Sequence, residues 1–368
     1  MQRRIIIPAV VFITGACVLV LEVLATRVLA PYFGSTIYTV SSVIGVVLGA
    51  LSVGYYAGGR IADARPSLRI FYGLITLSGI SVFGIEALLL FVMPHIGYKL
   101  PLIVGPLIAS VTLFFVPSVL LGMLSPFAIT LQKREFPKLG IGTLSGEIFF
   151  WSTIGSIVGS LSAGFILIPQ WGTHTILIGV GVLLCALGVA GVVASRPPRS
   201  QMVGMIVLLV ALVTIPPVLW ASALAAADRY VYLDDGVYER LAIYDGEYKG
   251  KPTRFLLQDR SNSSAMFLGS DELAFDYTKY YTLARSVVPD MRHALVLGAG
   301  AYSIPRAILS DYPEATIDVV DIEPELENLS KRFFNLADDA TIKTHTMDAR
   351  RFLQNPPYQY DLVFSDIY

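Results

Sequence analysis

Most of the first 227 residues are too apolar to remain in water. Seven apolar stretches, each about 20 to 25 residues long and able to cross a hydrocarbon core of about 30 Å, fall at residues 5–30, 39–59, 70–93, 101–124, 144–168, 175–194 and 202–226. In lipid the backbone must satisfy its own polar groups, so stretches of this kind fold as helices. A multi-span α-helical bundle in the cell membrane is therefore expected over 1–227. Composition agrees, with 54% of residues hydrophobic and only 15% charged, outside the range of soluble domains. Arg3 and Arg4 ahead of the first stretch suit a secretory signal, but the stretch is longer than a signal core, contains Glu22 and Arg27 and is followed by further spans, so it reads as a retained helix.

The basic residues orient this bundle. Arg3 and Arg4, then Arg60, Arg65 and Arg69, then Lys133, Arg134 and Lys138, then Arg196 and Arg199 fall on one side, while Lys99 stands alone between spans on the other. The positive-inside rule makes that first side, and the N-terminus, cytoplasmic. Seven crossings would then carry everything after Ala226 out of the cytoplasm. Two features bear on that count: Pro106, Pro117 and Pro126 interrupt the fourth stretch, as a re-entrant segment or an extra crossing would, and Pro216 and Pro217 sit at the centre of the seventh. The side of the C-terminal domain stays open.

Glu22, Arg27, Glu86 and Glu147 lie in or at the edge of spans, where an ionised side chain costs several kcal/mol unless paired or hydrated. Each is a candidate for a pathway or binding site; the plainer reading pairs Glu22 with Arg27 and sets Glu147 near a helix start. Gly155, Gly159 and Ala163 form a small-residue stripe that lets helix backbones approach. The Gly58–Asp63 segment, read as a loop after the second span, faintly resembles the short basic loop of major facilitator transporters. Cys17 and Cys185 fall inside predicted spans and say nothing of redox compartment, and a net charge of −1 points to no nucleic-acid partner.

Polar residues return near Asp228. Residues 228–270 read as a small β region: Tyr238 to Tyr244 alternates, Asp245-Gly246 opens a turn that Lys249-Gly250 continues, and Arg254 to Gln258 returns as a strand. A polar loop over 259–264 and a helix over 272–288, capped by Ser270 or Asp271, are expected to follow. Over 271–368 strands and helices then alternate, with strands at 293–298, 315–321, 341–346 and 360–365 and helices at 303–311, 324–335 and 348–353. That succession predicts an α/β, Rossmann-like domain with a parallel sheet covered on both faces. A complete sheet of this type runs further, so the domain is expected to be a fragment or cut short after the fourth strand.

In such a sheet ligands bind beyond the carboxyl ends of the strands. Ala294 to Glu323 reads ALVLGAG, a helical run, then TIDVVDIE, the pattern of a nucleoside-binding βαβ unit. Gly298 and Gly300 let the backbone pass close to a ligand, and Asp321 is placed to accept both ribose hydroxyls. Asp348-Ala349 follows the third strand, where a carboxylate can accept from an adenine amino group. Asp366 follows the fourth, beside the reacting end of a bound adenosyl group. A GxG turn alone is weak evidence, and the third glycine of GxGxxG is Ser303; three aspartates in order, one after each strand, are a stronger signal than any one of them, which alone reads as a cap or turn residue.

Those positions, GAGAYSIPRA, VVDIE, DAR and YDLVFSD, resemble the spermidine synthase family of aminopropyltransferases, relatives of Rossmann-like methyltransferases. The likeness covers residues 230–368. The stretches GACVLVLEVLATRVLAPYFGS, GYYAGGRIAD and STIGSIVGSLSAGFILIPQWG are similar to bacterial and archaeal proteins in which a multi-span region is fused to a spermidine synthase-like domain. The resemblance implies aminopropyl transfer from decarboxylated S-adenosylmethionine to a diamine such as putrescine, without a metal, on a membrane-anchored protein that forms a homodimer. It also implies that Asp321 binds ribose, that Asp348 with Ala349 binds adenine, and that Asp366 is the base. A polyamine nitrogen is protonated at neutral pH and must lose a proton before it attacks, which a carboxylate serves.

The chain departs from the family at the amine-handling positions. Ala301 and Tyr302 stand where the family reads DG after GGG, and Phe275-Asp276-Tyr277 stand where it reads YHE. Its LDGxxQ region has become Gln258 to Asn262. Two alternatives therefore remain: a methyltransferase using S-adenosylmethionine itself, and a polyamine or metabolite transporter or sensor whose nucleoside-binding domain is not catalytic. A bundle that only anchors the soluble domain is the plainest variant.

Overall fold

The computed structural model describes residues 2–195, 214–219, 221, 222, 225, 228–236 and 238–367, in two compact units, Met1–Ala226 and Ala227–Tyr368.

The first unit is helical: α1 (Gln2–Phe33), α2 (Ile37–Ala64), α3 (Leu68–Phe91), the single turn α4 (Met93–Ile96), α5 (Gly105–Gly122), α6 (Leu124–Glu135), α7 (Ile141–Ser162) and α8 (Ile168–Ala194). Among the described residues, five continuous helical runs are long and apolar enough to cross a membrane: Ile6–Phe33, Ile37–Ala64, Leu68–Phe91, Gly105–Glu135 and Ile141–Ala194. The last has 54 residues because a π turn at Ala163–Leu167 joins α7 to α8. Its helical geometry breaks at Gly172 (φ 68°, ψ 165°), between the fifth and sixth sequence-predicted stretches. From Gly105 onward the fourth stretch is part of one helical run, with Pro106 in the first turn of α5 and Pro117 inside it. The seventh, 202–226, lies largely outside the described residues; within it 214–219 are helical.

Packing follows the small residues. Helix α1 lies on α7, α3 on α8 and α2 on α5. A Cβ added to Gly155 would strike the carbonyl of Phe12, and one on Gly159 the backbone of Ala16. The Ser156 hydroxyl donates to the Gly15 carbonyl at 3.1 Å across the same crossing. The Gly58–Asp63 segment differs from its expected loop: it is the last part of α2. Gly58 is buried against the backbone of Met123, and the exposed Arg60 lies over the Tyr56 ring at 4.3 Å, so close packing at Gly58 accompanies the continued helix. Large apolar side chains such as Leu48, Phe149, Phe165 and Trp171 are exposed on the outside of the unit.

The second unit opens with an antiparallel sheet in the order β1 (Tyr232–Asp235), β2 (Arg240–Tyr248), β3 (Lys251–Gln258), β4 (Ser261–Phe267). Asp245 and Gly246 do not turn: they pair with Arg254 and Thr253. The hairpin reverses at Lys249 and Gly250, with φ 52° and 75°, a two-residue turn whose twist matches the strands. Asp259 and Arg260 form the next turn, so Ser261 to Ser264, expected as loop, are strand. The expected helix over 272–288 is also shorter, a 3₁₀ helix Tyr277–Leu283 followed by α9 (Ala284–Val287). The preceding residues are engaged elsewhere: Leu273 bridges to Met266, and Glu272 pairs with Lys251 at 2.8 Å and Lys279 at 3.0 Å.

The remaining strands form a parallel sheet in the order β7 (Ile342–Thr346), β6 (Thr316–Asp321), β5 (His293–Leu297), β8 (Leu362–Ser365). Helices α10 (Ser303–Asp311) and α11 (Leu326–Phe333) bury Ile304, Ile308, Leu326 and Leu329 with Val296, Ile317 and Val319 on one face. The short α12 (Ala349–Phe352) sets Phe352 against Leu295, Leu297 and Val320 on the other. Because β5 has β6 on one side and β8 on the other, the chain reverses its winding there, and the crevice beyond the carboxyl ends of β5 and β8 is where ligands bind in open α/β sheets.

Candidate active site

Gly298 ends β5 in a left-handed conformation (φ 90°) that an L side chain rarely adopts, and a Cβ there would strike the carbonyl of Asp366. The Gly298 amide donates to Val320 at 2.9 Å and the Asp366 amide to Leu297 at 2.8 Å, so the turn after β5 is fastened to both neighbouring strands. Asp321 adds a side-chain tie. Its Oδ2 accepts from the Ala299 amide at 2.7 Å and its Oδ1 from the Glu323 amide at 2.9 Å. Each oxygen keeps a second lone pair, enough to accept from a vicinal diol. Gly300 (φ 49°) passes close under Ser264 of β4, whose hydroxyl accepts from the Ala301 amide at 2.9 Å. Tyr302 completes the turn in a left-handed conformation (φ 57°) with its ring fully buried and its hydroxyl 2.9 Å from Thr344 Oγ1.

Asp366 is half-buried, and its Oδ2 accepts from the Tyr277 hydroxyl at 2.7 Å. The Tyr277 ring stacks on Phe275 with centroids 6.1 Å apart. A phenol therefore reaches the carboxylate from Tyr277, which the sequence marked only as a departure from the family's YHE. Gly298, Gly300, Asp321 and Asp366 come together at the ends of β5, β6 and β8. Asp348 lies past β7, where the Met347 amide donates to the Asp321 carbonyl at 2.9 Å. Its carboxylate caps α12 through the Arg350 amide at 2.8 Å and pairs with the Arg350 guanidinium. These bonds, the guanidinium first, hold the half-buried carboxyl down to about 2. Ala349 packs beside Phe352 and Tyr360.

Two further carboxylates stand behind Asp321. Glu323 is 2% exposed, accepts from the Tyr238 amide at 3.1 Å and is pushed upward in pKa by burial. Glu239 accepts from the Gln258 amide; burial, opposed by that bond and reinforced by Asp259, Asp321 and Glu323, raises its carboxyl to about 7. Glu323 was visible in VVDIE as the acid two places after Asp321, whereas nothing in its own neighbourhood marked Glu239. A separate cavity of about 690 Å³ runs along α10 and is lined by Asp271, Tyr281, Arg285, Arg306 and Asp311. Its charges neutralise one another, Arg306 with Asp271 and Arg285 with Asp311, so the strand ends hold the more reactive arrangement. Among the described residues no group of three or more His, Cys, Asp or Glu side chains is placed to hold a metal ion.

The chain is 24% identical over 384 residues to polyamine aminopropyltransferase 1 of Streptomyces coelicolor, covering 99% of this chain and 69% of the relative. It is 24% identical over 383 residues to polyamine aminopropyltransferase 2 of Ralstonia nicotianae, covering 97% and 70%. The chain is a relative of the polyamine aminopropyltransferases. That relationship sets it among transferases, and it runs through the helical unit as well as the α/β unit. No protein-family model matches the chain. A probable spermidine synthase from Corynebacterium glutamicum has 23% sequence identity and a TM-score of 0.34, covering 37% of this chain and 52% of that one.

Proposed function

We propose that this chain is a membrane-anchored aminopropyltransferase with a Rossmann-like nucleoside site at the ends of β5, β6 and β8. Decarboxylated S-adenosylmethionine, when bound, supplies an aminopropyl group on a sulfonium. Asp321 accepts the ribose hydroxyls with the lone pairs its backbone donors leave over, and the turn from Gly298 to Tyr302 fixes the height at which the sugar rests. Asp348, with Ala349, borders the adenine. Asp366 takes the proton from the acceptor nitrogen of a diamine such as putrescine, freeing the lone pair for attack. Tyr277 holds that carboxylate in place, and the negative charges of Asp366 and Asp321 draw the cationic acceptor toward the crevice.

The observation that carries the reading is the joint placement of the Tyr277–Asp366 contact and the Asp321 tie on one turn, in a chain related over nearly its whole length to polyamine aminopropyltransferases. The five apolar helical runs support multi-pass insertion, with the N-terminus on the cytoplasmic side by its basic loops; the family resemblance supports a homodimer. Ligand-dependent thermal stabilisation tests the proposal. Decarboxylated S-adenosylmethionine is expected to stabilise the purified full chain more than S-adenosylmethionine does, and Asp321→Ala to remove the effect; equal indifference to both would refute the nucleoside site.

One observation favours a second reading. Ala301 is 1% exposed and presents only a methyl group beside the turn, where the family's aspartate would meet an amine, so a donor that carries a carboxylate meets no repulsion there. S-adenosylmethionine-dependent methyl transfer follows from that, and the same stabilisation assay distinguishes it by a reversed preference.

A further inference from the structure

Glu86 lies in α3 with no solvent exposure, and its Oε1 is 2.7 Å from Nδ1 of His174 on α8. Its Oε2 is buried without a hydrogen-bond donor among the described residues. A carboxylate in that position buries a charged oxygen without a donor, whereas in a carboxylic acid whose Oε1–H points at Nδ1 the oxygen left over is a neutral carbonyl, which costs less to bury. The 2.7 Å contact serves both arrangements, O–H donating to nitrogen or N–H donating to oxygen.

The surroundings favour neither form outright. Helical geometry breaks at Gly172 and resumes at Thr173, so His174 stands in the first turn of the resumed helix, whose free amides favour a nearby negative charge. Against that, α5, which also packs on α3, carries no titratable side chain. On α8 itself the other titratable group is Cys185. Among the further elements in contact, α4 offers His95 and α6 offers Lys133, Arg134 and Glu135. Helix α1, which meets α8, carries Cys17, Glu22, Arg27 and Tyr32, and α3 itself carries Arg69 and Tyr72. Residues 214–219, which place Ile215 and Leu219 beside Phe83, have none. The His174 side chain is 34% exposed while that of Glu86 is 0% exposed, so the imidazole joins the buried carboxyl to the surface of the unit.

We infer that the Glu86–His174 pair is a proton-binding site inside the helical unit, taking up and releasing one proton at the helix break. In one state the carboxyl oxygen holds the proton and Nδ1 accepts it; in the other the O–H bond is broken, Nδ1 holds the proton and Oε1 accepts. Release then proceeds from the imidazole, the exposed member of the pair. This site is separate from the strand-end chemistry and stands or falls without it.

Infrared difference spectroscopy on the full chain in lipid nanodiscs, titrated from acid to alkaline pH, tests the inference. A carboxylic acid carbonyl band that is lost on alkalinisation is expected. The band should be missing in Glu86→Gln and shifted in frequency in Glu86→Asp, which keeps a titratable group if the glutamine variant fails to fold. His174→Gln should displace its midpoint. A permanent ion pair, giving no Glu86-dependent band at any pH, would overturn the inference, as would a band that survives the whole titration or a midpoint indifferent to His174.

Discussion

Gly155 and Gly159 in the helical unit and Gly298 in the α/β unit all sit where a side chain would strike neighbouring backbone, yet the two settings ask different things of them. At the crossing of α1 and α7 the backbone is ordinary helix and only volume is at stake, so a row of small residues serves. At the end of β5 the chain must also turn left-handed within reach of Asp366, a conformation that glycine adopts without penalty. The helical unit is thus held by repetition along a face. The α/β unit instead sets a left-handed turn beside Asp321 and Asp366 at the ends of its parallel strands.

The sharpest way to break this comparison is at those strand ends. Asp366→Asn is expected to lower turnover about 10²- to 10⁴-fold, the usual contribution of general acid–base catalysis, with thermal unfolding unchanged; steady-state rates on the folded variant decide it. Asp321→Ala should abolish ligand-induced stabilisation. It should also destabilise the α/β unit by about 1–3 kcal/mol, because the Ala299 and Glu323 amides lose their acceptor, and denaturation with and without ligand separates the two effects.

On the other side of the comparison, Gly155→Leu should destabilise the helical unit by about 1–3 kcal/mol or more through overpacking against Phe12. Ligand-induced stabilisation should survive in that variant if the two units carry separate roles. Tyr277→Phe is a finer probe: loss of one hydrogen bond to an ionised carboxylate should lower kcat about 10-fold, with ligand affinity preserved.

The smallest effect concerns Glu239. Its carboxyl is raised to about 7 in the folded chain, so the folded state holds the proton more tightly than the unfolded one. The associated stability is complete below the ordinary glutamate range near pH 4.5 and is lost as pH rises through about 7. Glu239→Gln should remove that slope, moving the unfolding midpoint by roughly 2–4 °C, the size about 1 kcal/mol produces in a domain of this order. A slope identical in wild type and variant would count against the assignment.

Much of the strand-end site could be read from residues alone. Alternating apolar runs located β5 to β8 within a residue or two, and the acids ending β6 and β8 mark positions the sheet brings together with the GxG turn. Asp348 is where the plainer reading of a capping aspartate also holds, since Arg350 engages it. What local pattern missed depends on distant partners. Tyr277 looked like one residue of a long helix, and only the Leu273–Met266 bridge and the ion pairs of Glu272 shorten that helix enough to bring its phenol to Asp366. Asp245-Gly246 looked like a turn because Asp-Gly favours one, but pairing with Arg254 and Thr253 overrides it. Gly58 to Asp63 looked like a loop because two glycines adjoin a cation, and burial against Met123 keeps them helical.

Tyr302 has a consequence for how the turn meets a ligand. Its left-handed backbone is uncommon for a residue with a side chain and costs of order 1–3 kcal/mol, offset by a buried ring and the contact with Thr344 on β7. That ring anchors the end of the turn to the far strand of the sheet before any ligand arrives. Freezing a residue costs about 1–2 kcal/mol in conformational entropy, and here the loss falls at folding rather than at binding. An adenosyl group would therefore settle on a rigid, prearranged ledge, and truncating the buried Tyr302 ring would weaken binding by loosening the turn from below.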